Sequence, residues 1–147
     1  MATYAENKRA RFDYEIQEEY ECGIELLGTE VKAVRNGKVS LLGSFVIIRG
    51  GEAFLINANV QPYQEANAPK DYDPLRNRKL LLTKKEIREL ADTEKNKSLT
   101  IVPISLYSKN RKIKMDIAVA RGKKKFDKRE TIKKRETDIE LRRQYKR

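Results

Sequence analysis

Apolar and polar residues alternate through Tyr14, Ile16, Tyr20, Cys22 and Ile24 on one parity and Glu15, Gln17, Glu19 and Glu21 on the other. Glu18 interrupts the apolar parity. A period of two over this length predicts a half-buried strand. Residues 30–35 follow Gly28-Thr29 and precede Asn36-Gly37, with Thr29 as a candidate N-cap, so a short helix is expected there. Residues 44–48 and 53–60 are apolar, β-rich runs around Arg49-Gly50-Gly51-Glu52, a hairpin signal because the two glycines accept positive φ. Residues 61–77 carry Pro62, Pro69 and Pro74 and predict a long loop. After Leu80-Leu81-Leu82, Thr83-Lys84-Lys85-Glu86 has capping-box spacing, and Ile87, Leu90 and Ala91 share the face of the helix it opens; the charged residues 92–97 end that helix. Residues 99–107 read as a strand whose Pro103 implies an edge or a bulge. A turn at residues 108–111 leads to a last strand in which Ile113, Met115, Ile117 and Val119 alternate with Lys114, Asp116, Ala118 and Ala120.

Five strands and two helices with short connections predict a mainly β fold, an antiparallel OB-like β-barrel. The expected barrel covers residues 1–120, of which roughly the first six are flexible. Residues 121–147 are expected to form a basic C-terminal tail, disordered when free. The chain has 147 residues and a net charge of +11. Its last 27 residues hold 13 Lys or Arg against 5 Asp or Glu, so most of the excess charge sits on the segment least able to bury a core. A near-neutral body with a basic arm points to a polyphosphate partner.

Composition removes other classes. The chain has no histidine and one cysteine, Cys22, which excludes structural zinc sites, Cys/His nucleophile pairs and an internal disulfide. No metal, cofactor or catalytic residue is expected. Cys22 reads as a small buried hydrophobe in a chain suited to a reducing cytosol. No apolar run is long enough to span a membrane, and the first residues lack the apolar region of a secretion signal.

Three basic clusters lie beside aromatics: Lys8, Arg9 and Arg11 near Tyr14; Arg76, Arg78 and Lys79 near Tyr72; and Lys109, Arg111, Lys112 and Lys114 near Tyr107. Outward cations beside ring platforms are how barrels of this kind hold nucleic acid. Composition leaves RNA and DNA open. Lys114 lies on the parity opposite Ile113, Met115 and Ile117 and can neutralise a phosphate. Glu21 also points outward, and can accept from a base edge or a 2′-hydroxyl, or orient a neighbouring Arg. Leu81 is either core or contact. Glu30 has a sufficient explanation as an acid at a helix N-terminus.

The ordered motifs are more specific. Asn7-Lys8-Arg9-Ala10-Arg11 with Asp13-Tyr14, Gly28-Thr29-Glu30-Val31-Lys32 with Arg35 and Gly37-Lys38, and Gly51-Glu52-Ala53-Phe54-Leu55 come first. Asp73-Pro74-Leu75-Arg76-Asn77-Arg78-Lys79-Leu80-Leu81-Leu82 and then Gly122-Lys123-Lys124 with Asp127-Lys128-Arg129 complete the set. In this order they resemble the small protein B (SmpB) family, partners of transfer-messenger RNA. The resemblance implies an RNA-binding protein of ribosome rescue, cytoplasmic, not an enzyme, and a monomer in its functional complex. It implies that Arg11, Glu21, Leu81 and Lys114 bind the tRNA-like domain. It also implies that the tail, with Gly122, Lys123, Lys124, Phe126, Asp127, Lys128 and Arg129, enters the empty mRNA channel near the decoding centre of the small ribosomal subunit.

Asp127 and Glu130 have capping-box spacing and Ile132 and Ile139 are seven apart, so the tail can become helical on binding, with a disordered solubilising tail as the alternative. The chain departs from the family pattern at Phe12 and Phe126, where histidine is common. Phe126 retains a ring face for stacking but no proton to exchange. Gly43 and Lys97-Ser98 are local loop departures. A structural ribosomal protein or RNA chaperone, and an RNA-processing enzyme, are the competing classes.

Overall fold

The computed structural model describes residues 2–62 and 71–122. Along the chain run β1 (Thr3–Glu6), α1 (Ala10–Asp13), β2 (Tyr14–Ile24), α2 (Gly28–Arg35), β3 (Val39–Ser40), β4 (Phe45–Arg49), β5 (Glu52–Ile56) and β6 (Asn59–Val60). They are followed by β7 (Arg78–Leu81), α3 (Lys84–Glu94), β8 (Leu99–Lys109) and β9 (Lys112–Gly122). The main sheet has the order β1-β8-β4-β5-β7-β2-β9, and β9 pairs back onto β8, so six strands close into an antiparallel ring with β1 outside it on β8. The expected antiparallel barrel is therefore present, with six strands in the ring where five are usual for an OB barrel. β3 and β6 form a separate two-stranded sheet.

Local chemistry explains the turns and helix ends. Gly50 and Gly51 both have positive φ between paired Arg49 and Glu52, which gives a two-residue turn whose twist matches the flanking strands. Thr83 Oγ1 accepts from the Glu86 amide at 3.2 Å and the Glu86 carboxylate accepts from the Thr83 amide at 3.0 Å, the expected capping box. Leu90 is wholly buried, and Ile87 and Ala91 pack beside it on the core. α2 starts earlier than expected. Leu27, not Thr29, occupies the N-cap position, and its amide is satisfied by Glu30 Oε1 at 2.8 Å. Gly37 ends this helix as expected, its amide bonding Val34 O while the Lys38 amide bonds Ala33 O.

Two bulges within the ring alter the simple alternation. In β2 the register shifts between Ile16 and Glu18, so Tyr14 and Ile16 face the opposite side from Tyr20 and Cys22. Tyr20 and Cys22 belong with the barrel interior, whereas Tyr14 and Ile16 join Ala10, Val102, Ile104 and Ala120 in a second cluster outside it. In β8 the shift falls between Pro103 and Ser105. Pro103 thus marks a bulge in a strand paired on both sides, not an edge. The Pro103 carbonyl accepts from the Asn7 side chain at 2.9 Å, and the Asn7 amide donates to Ile104 O at 2.8 Å. These bonds extend β1, which lies in the stretch expected to be flexible. At the other end β9 runs past the expected boundary at residue 120: Arg121 pairs with Glu15 and Gly122 with Tyr14. Residues 123–147, assigned to the tail, lie outside the described residues.

The barrel interior holds Leu55, Leu80, Ile101, Leu106, Met115 and Ile117, with Ala33 and Val34 of α2 against it. Cys22 is buried there as expected. Burial, followed by the nearby Asp116 and Glu86 charges, pushes its thiol up to about 12, so it packs as a hydrophobe.

One polar assembly lies within this packing. Arg78 is 0% exposed and Glu30 is 1% exposed. Arg78 donates to Glu30 Oε2 through Nε at 2.8 Å and Nη2 at 2.5 Å, and to the carbonyls of Ala58, Arg76 and Pro74 at 2.9, 3.1 and 3.1 Å. Arg76 adds Nε at 3.1 Å and a shorter Nη2 contact to the same carboxylate, and the Tyr72 hydroxyl lies 3.0 Å from it. Arg78 was expected to face outward with Arg76 and Lys79. It is instead the buried partner that makes an acid tolerable at Glu30, since a buried charge stands only when paired and fully hydrogen-bonded. Burial pushes the Glu30 carboxyl up, but the bonds from Arg76, the Leu27 amide and Arg78 outweigh it and hold the group at about 2.

Glu30→Gln is expected to destabilise the fold by about 3–5 kcal/mol in urea denaturation at neutral pH, because it strands the Arg78 charge. The Glu30 value is depressed from an ordinary 4.5, so its contribution is present above pH 4.5 and is lost as pH falls toward 2. The acid limb of the wild-type stability curve should therefore be shallower in Glu30→Gln.

Candidate nucleic-acid interface

Glu21, Leu81 and Lys114 come from three adjacent strands. Gly23 of β2 is paired with Leu81 of β7 on one side and Lys114 of β9 on the other, and Lys114 is in turn opposite Tyr107 of β8. Glu21, two residues from Gly23 on the same face, is opposite Asp116. The outer face of the ring thus collects an acid, a leucine and a lysine from distant parts of the chain.

Leu81 resolves its two readings by geometry. Leu80 points into the core at 1% exposure, while Leu81 on the other parity is 49% exposed. Gly23 makes room for it: a Cβ at that position would lie 3.2 Å from Leu81 Cβ and 3.3 Å from Cδ1, closer than ordinary packing. Beyond Leu81 and Lys114 the groove is lined by Val31 and Arg35 of α2 and by Arg111 and Lys112 of the β8–β9 hairpin. Arg35 entered the sequence reading only as part of the first-helix motif and was not among the residues expected to bind RNA. Its position one helical turn after Val31 was the available signal.

Arg111 occupies its place at a backbone cost. Asn110 and Arg111 form the two-residue turn with φ of 52° and 65°. Asn accepts such a conformation and Gly prefers it, but an Arg there is strained.

The basic clusters expected from sequence do not all serve this face. Arg111, Lys112 and Lys114 do. Arg76 and Arg78 are consumed by Glu30, and Lys79 lies 3.3 Å from Glu52. Arg9 lies over the Phe12 ring at 5.2 Å and 3.6 Å from Asp13. Arg11 donates to Glu19 at 3.2 Å, two residues along β2 from Glu21, so it borders the same face. Gly122 does not join them. It is eight residues along β9 from Lys114, roughly 26 Å for an extended strand. Lys123, Lys124, Phe126, Asp127, Lys128 and Arg129 lie outside the described residues.

The expected aromatic platforms are also corrected. Tyr107 is buried, Tyr14 packs in the outer apolar cluster, and Tyr72 is bound into the Glu30 assembly. Tyr107 bonds Glu21 Oε2 and lies 2.8 Å from Asp116 Oδ1, and Lys109 Nζ is 3.3 Å from both Glu21 oxygens. The Tyr107 bond lowers the Glu21 carboxyl below its usual range against a smaller opposing effect of burial, with Lys109 and Lys114 contributing further. Burial and the two carboxylates raise the Tyr107 phenol. At neutral pH the site therefore holds an ionised Glu21 and a protonated Tyr107.

A β-barrel whose outer face carries an open groove of cations around an exposed leucine, with an acceptor at its side, belongs to the class of nucleic-acid-binding barrels. The model of the SmpB protein family matches residues 4–147, and the chain belongs to that family. It is 51% identical over 142 residues to an SsrA-binding protein of Thermosynechococcus vestitus, covering 97% of this chain and 93% of that one. It is 50% identical over 139 residues to an SsrA-binding protein of Clostridium acetobutylicum, covering 95% and 89%. A chain of the solved structure "tmRNA-SmpB: a journey to the center of the bacterial ribosome" superposes with a TM-score of 0.68 at 48% identity, over 82% of this chain and 84% of that chain.

Arg111→Gly is expected to raise stability by about 1 kcal/mol in thermal denaturation, because glycine has no Cβ to strain at the positive φ of this position. The same change removes one cation from the groove.

Proposed function

We propose that the chain binds transfer-messenger RNA, the SsrA RNA, in trans-translation, delivering it to stalled ribosomes as a binding protein and not as an enzyme. The observation that carries the RNA surface is the row Leu81–Gly23–Lys114 on three neighbouring strands, with Glu21 beside it. The tRNA-like domain lies against this outer face. Lys114, Arg111 and Lys112 meet phosphates, Leu81 packs against a sugar or base, and Glu21 accepts from a donor group. Arg11 lies further along the same face and contributes positive potential near it.

The tail has a separate task. β9 delivers it at Gly122, at the far end of the strand from Lys114, so one protein can hold the tRNA-like domain and reach the empty mRNA channel at once. Its lysines and arginines contact ribosomal RNA, Phe126 stacks by its ring face, and the segment gains helical structure there. The place of action is the cytoplasm, where its ribosomal partner is. No helix among the described residues is long and apolar enough to cross a membrane.

Competition binding at fixed salt should favour the tRNA-like domain over unrelated RNA stems; equal affinities would instead indicate a general RNA chaperone. Lys114→Ala should weaken binding and reduce the slope of log affinity against log salt by about one contact. A chain ending at Gly122 should keep affinity for the RNA within about tenfold and lose tagging on stalled ribosomes. Tagging by the truncated protein would contradict the role given to the tail.

A further inference from the structure

Glu21 is an acid on the surface proposed to meet a polyanion, so its geometry needs a reason. It is opposite Asp116 in the β2–β9 register, which places a second acid next to it. Two neighbouring carboxylates repel unless something holds them together. Tyr107 supplies the link: the residue is only 6% exposed, and its hydroxyl bonds Glu21 while lying 2.8 Å from Asp116 Oδ1. A phenol has one proton, so it can donate to only one carboxylate at a time. Lys109, 3.3 Å from both Glu21 oxygens, and Lys114, opposite Tyr107, offset the two negative charges. The array is consequently near neutral, ordered and rich in acceptor lone pairs.

We propose that Tyr107, braced by Asp116, is a positioning residue that holds the Glu21 carboxylate in place as an acceptor for an N–H or O–H group of the bound RNA. Phosphate has no such donor, whereas a base amino or imino group and the 2′-hydroxyl do. The array is therefore a filter for exposed nucleotide edges or sugars, set beside the cations that meet phosphate. Without Tyr107 the glutamate keeps its charge and loses its fixed direction, so it costs repulsion toward the backbone and returns less in hydrogen bonding. This inference rests on the reading of the outer face as the RNA surface.

The test is a double-mutant cycle on the full chain with Tyr107→Phe and Glu21→Gln, titrating a transcript of the tRNA-like domain at several salt concentrations. Tyr107→Phe keeps the ring in its packed site, and retention of the fold is checked by thermal denaturation. It should lower affinity by about tenfold with the salt slope unchanged, because no phosphate contact is removed. The double variant should bind no more weakly than Glu21→Gln alone. Lys109→Met, at an exposed position of the same array, gives a second cycle with Glu21→Gln in which the losses should likewise fail to add. Wild-type affinity in Tyr107→Phe, or additive losses in the double variant, would overturn the positioning role while a wild-type preference for the tRNA-like domain left the RNA surface intact. A wild-type protein without that preference would overturn both.

Discussion

The buried pair of Glu30 and Arg78 is the constraint around which the site side of the barrel is arranged. Arg78 opens β7, only three residues before Leu81, and Glu30 sits in the first turn of α2, one residue before Val31. Their side chains also draw in Ala58, Tyr72, Pro74 and Arg76, so the junction after β5 and the approach to β7 are bonded to the same point. A charge withdrawn from water must find all of its partners or carry a large desolvation cost, and this requirement leaves little freedom in how α2 meets β7. Val31 and Arg35 on one side of the groove and Leu81 on the other therefore keep a defined spacing.

The ring of strands then divides labour between its two faces. Inward residues build the core, and outward residues of β7, β2, β9 and β8 line the proposed RNA surface. Gly23 joins the two demands, being too small to block Leu81 while still taking its place in the pairing of β2 with both neighbours. The bulges extend the division. They turn Tyr14 and Ile16 outward against α1, so that the end of the outer face nearest Gly122 is apolar and packed, while the end near Lys114 is charged and open.

Much of this was legible residue by residue where the physics is local. The glycine pair of the β4–β5 hairpin, the Thr83 capping box, the Gly37 helix end, the outward placement of Lys114 and the burial of Cys22 all follow from neighbours within a few positions. The failures have a common origin in contacts far along the chain. Arg78 looks like any surface cation until Glu30, 48 residues away in sequence, is brought against it. Tyr107 looks like a stacking ring until Glu21 and Asp116 meet at its hydroxyl. Leu81 stayed ambiguous within a triple leucine because strand parity is undefined until a partner strand sets which face is inside. β1 was invisible because four residues of mixed polarity carry no period, and its partner β8 lies about a hundred residues later.

By itself the sequence determined that this is a mainly β chain without the means for zinc or Cys/His chemistry, with a basic arm and a set of ordered motifs that identify its family. Those properties depend on residue types and short spacings, which are present before folding. Only the tertiary structure decided which cations are spent on internal acids and which remain open on the outer face, and which leucine of three is exposed there. Charge and exposure are not properties of a residue alone: burial, register and the nearest opposite charge set them, and these exist only once the ring has closed.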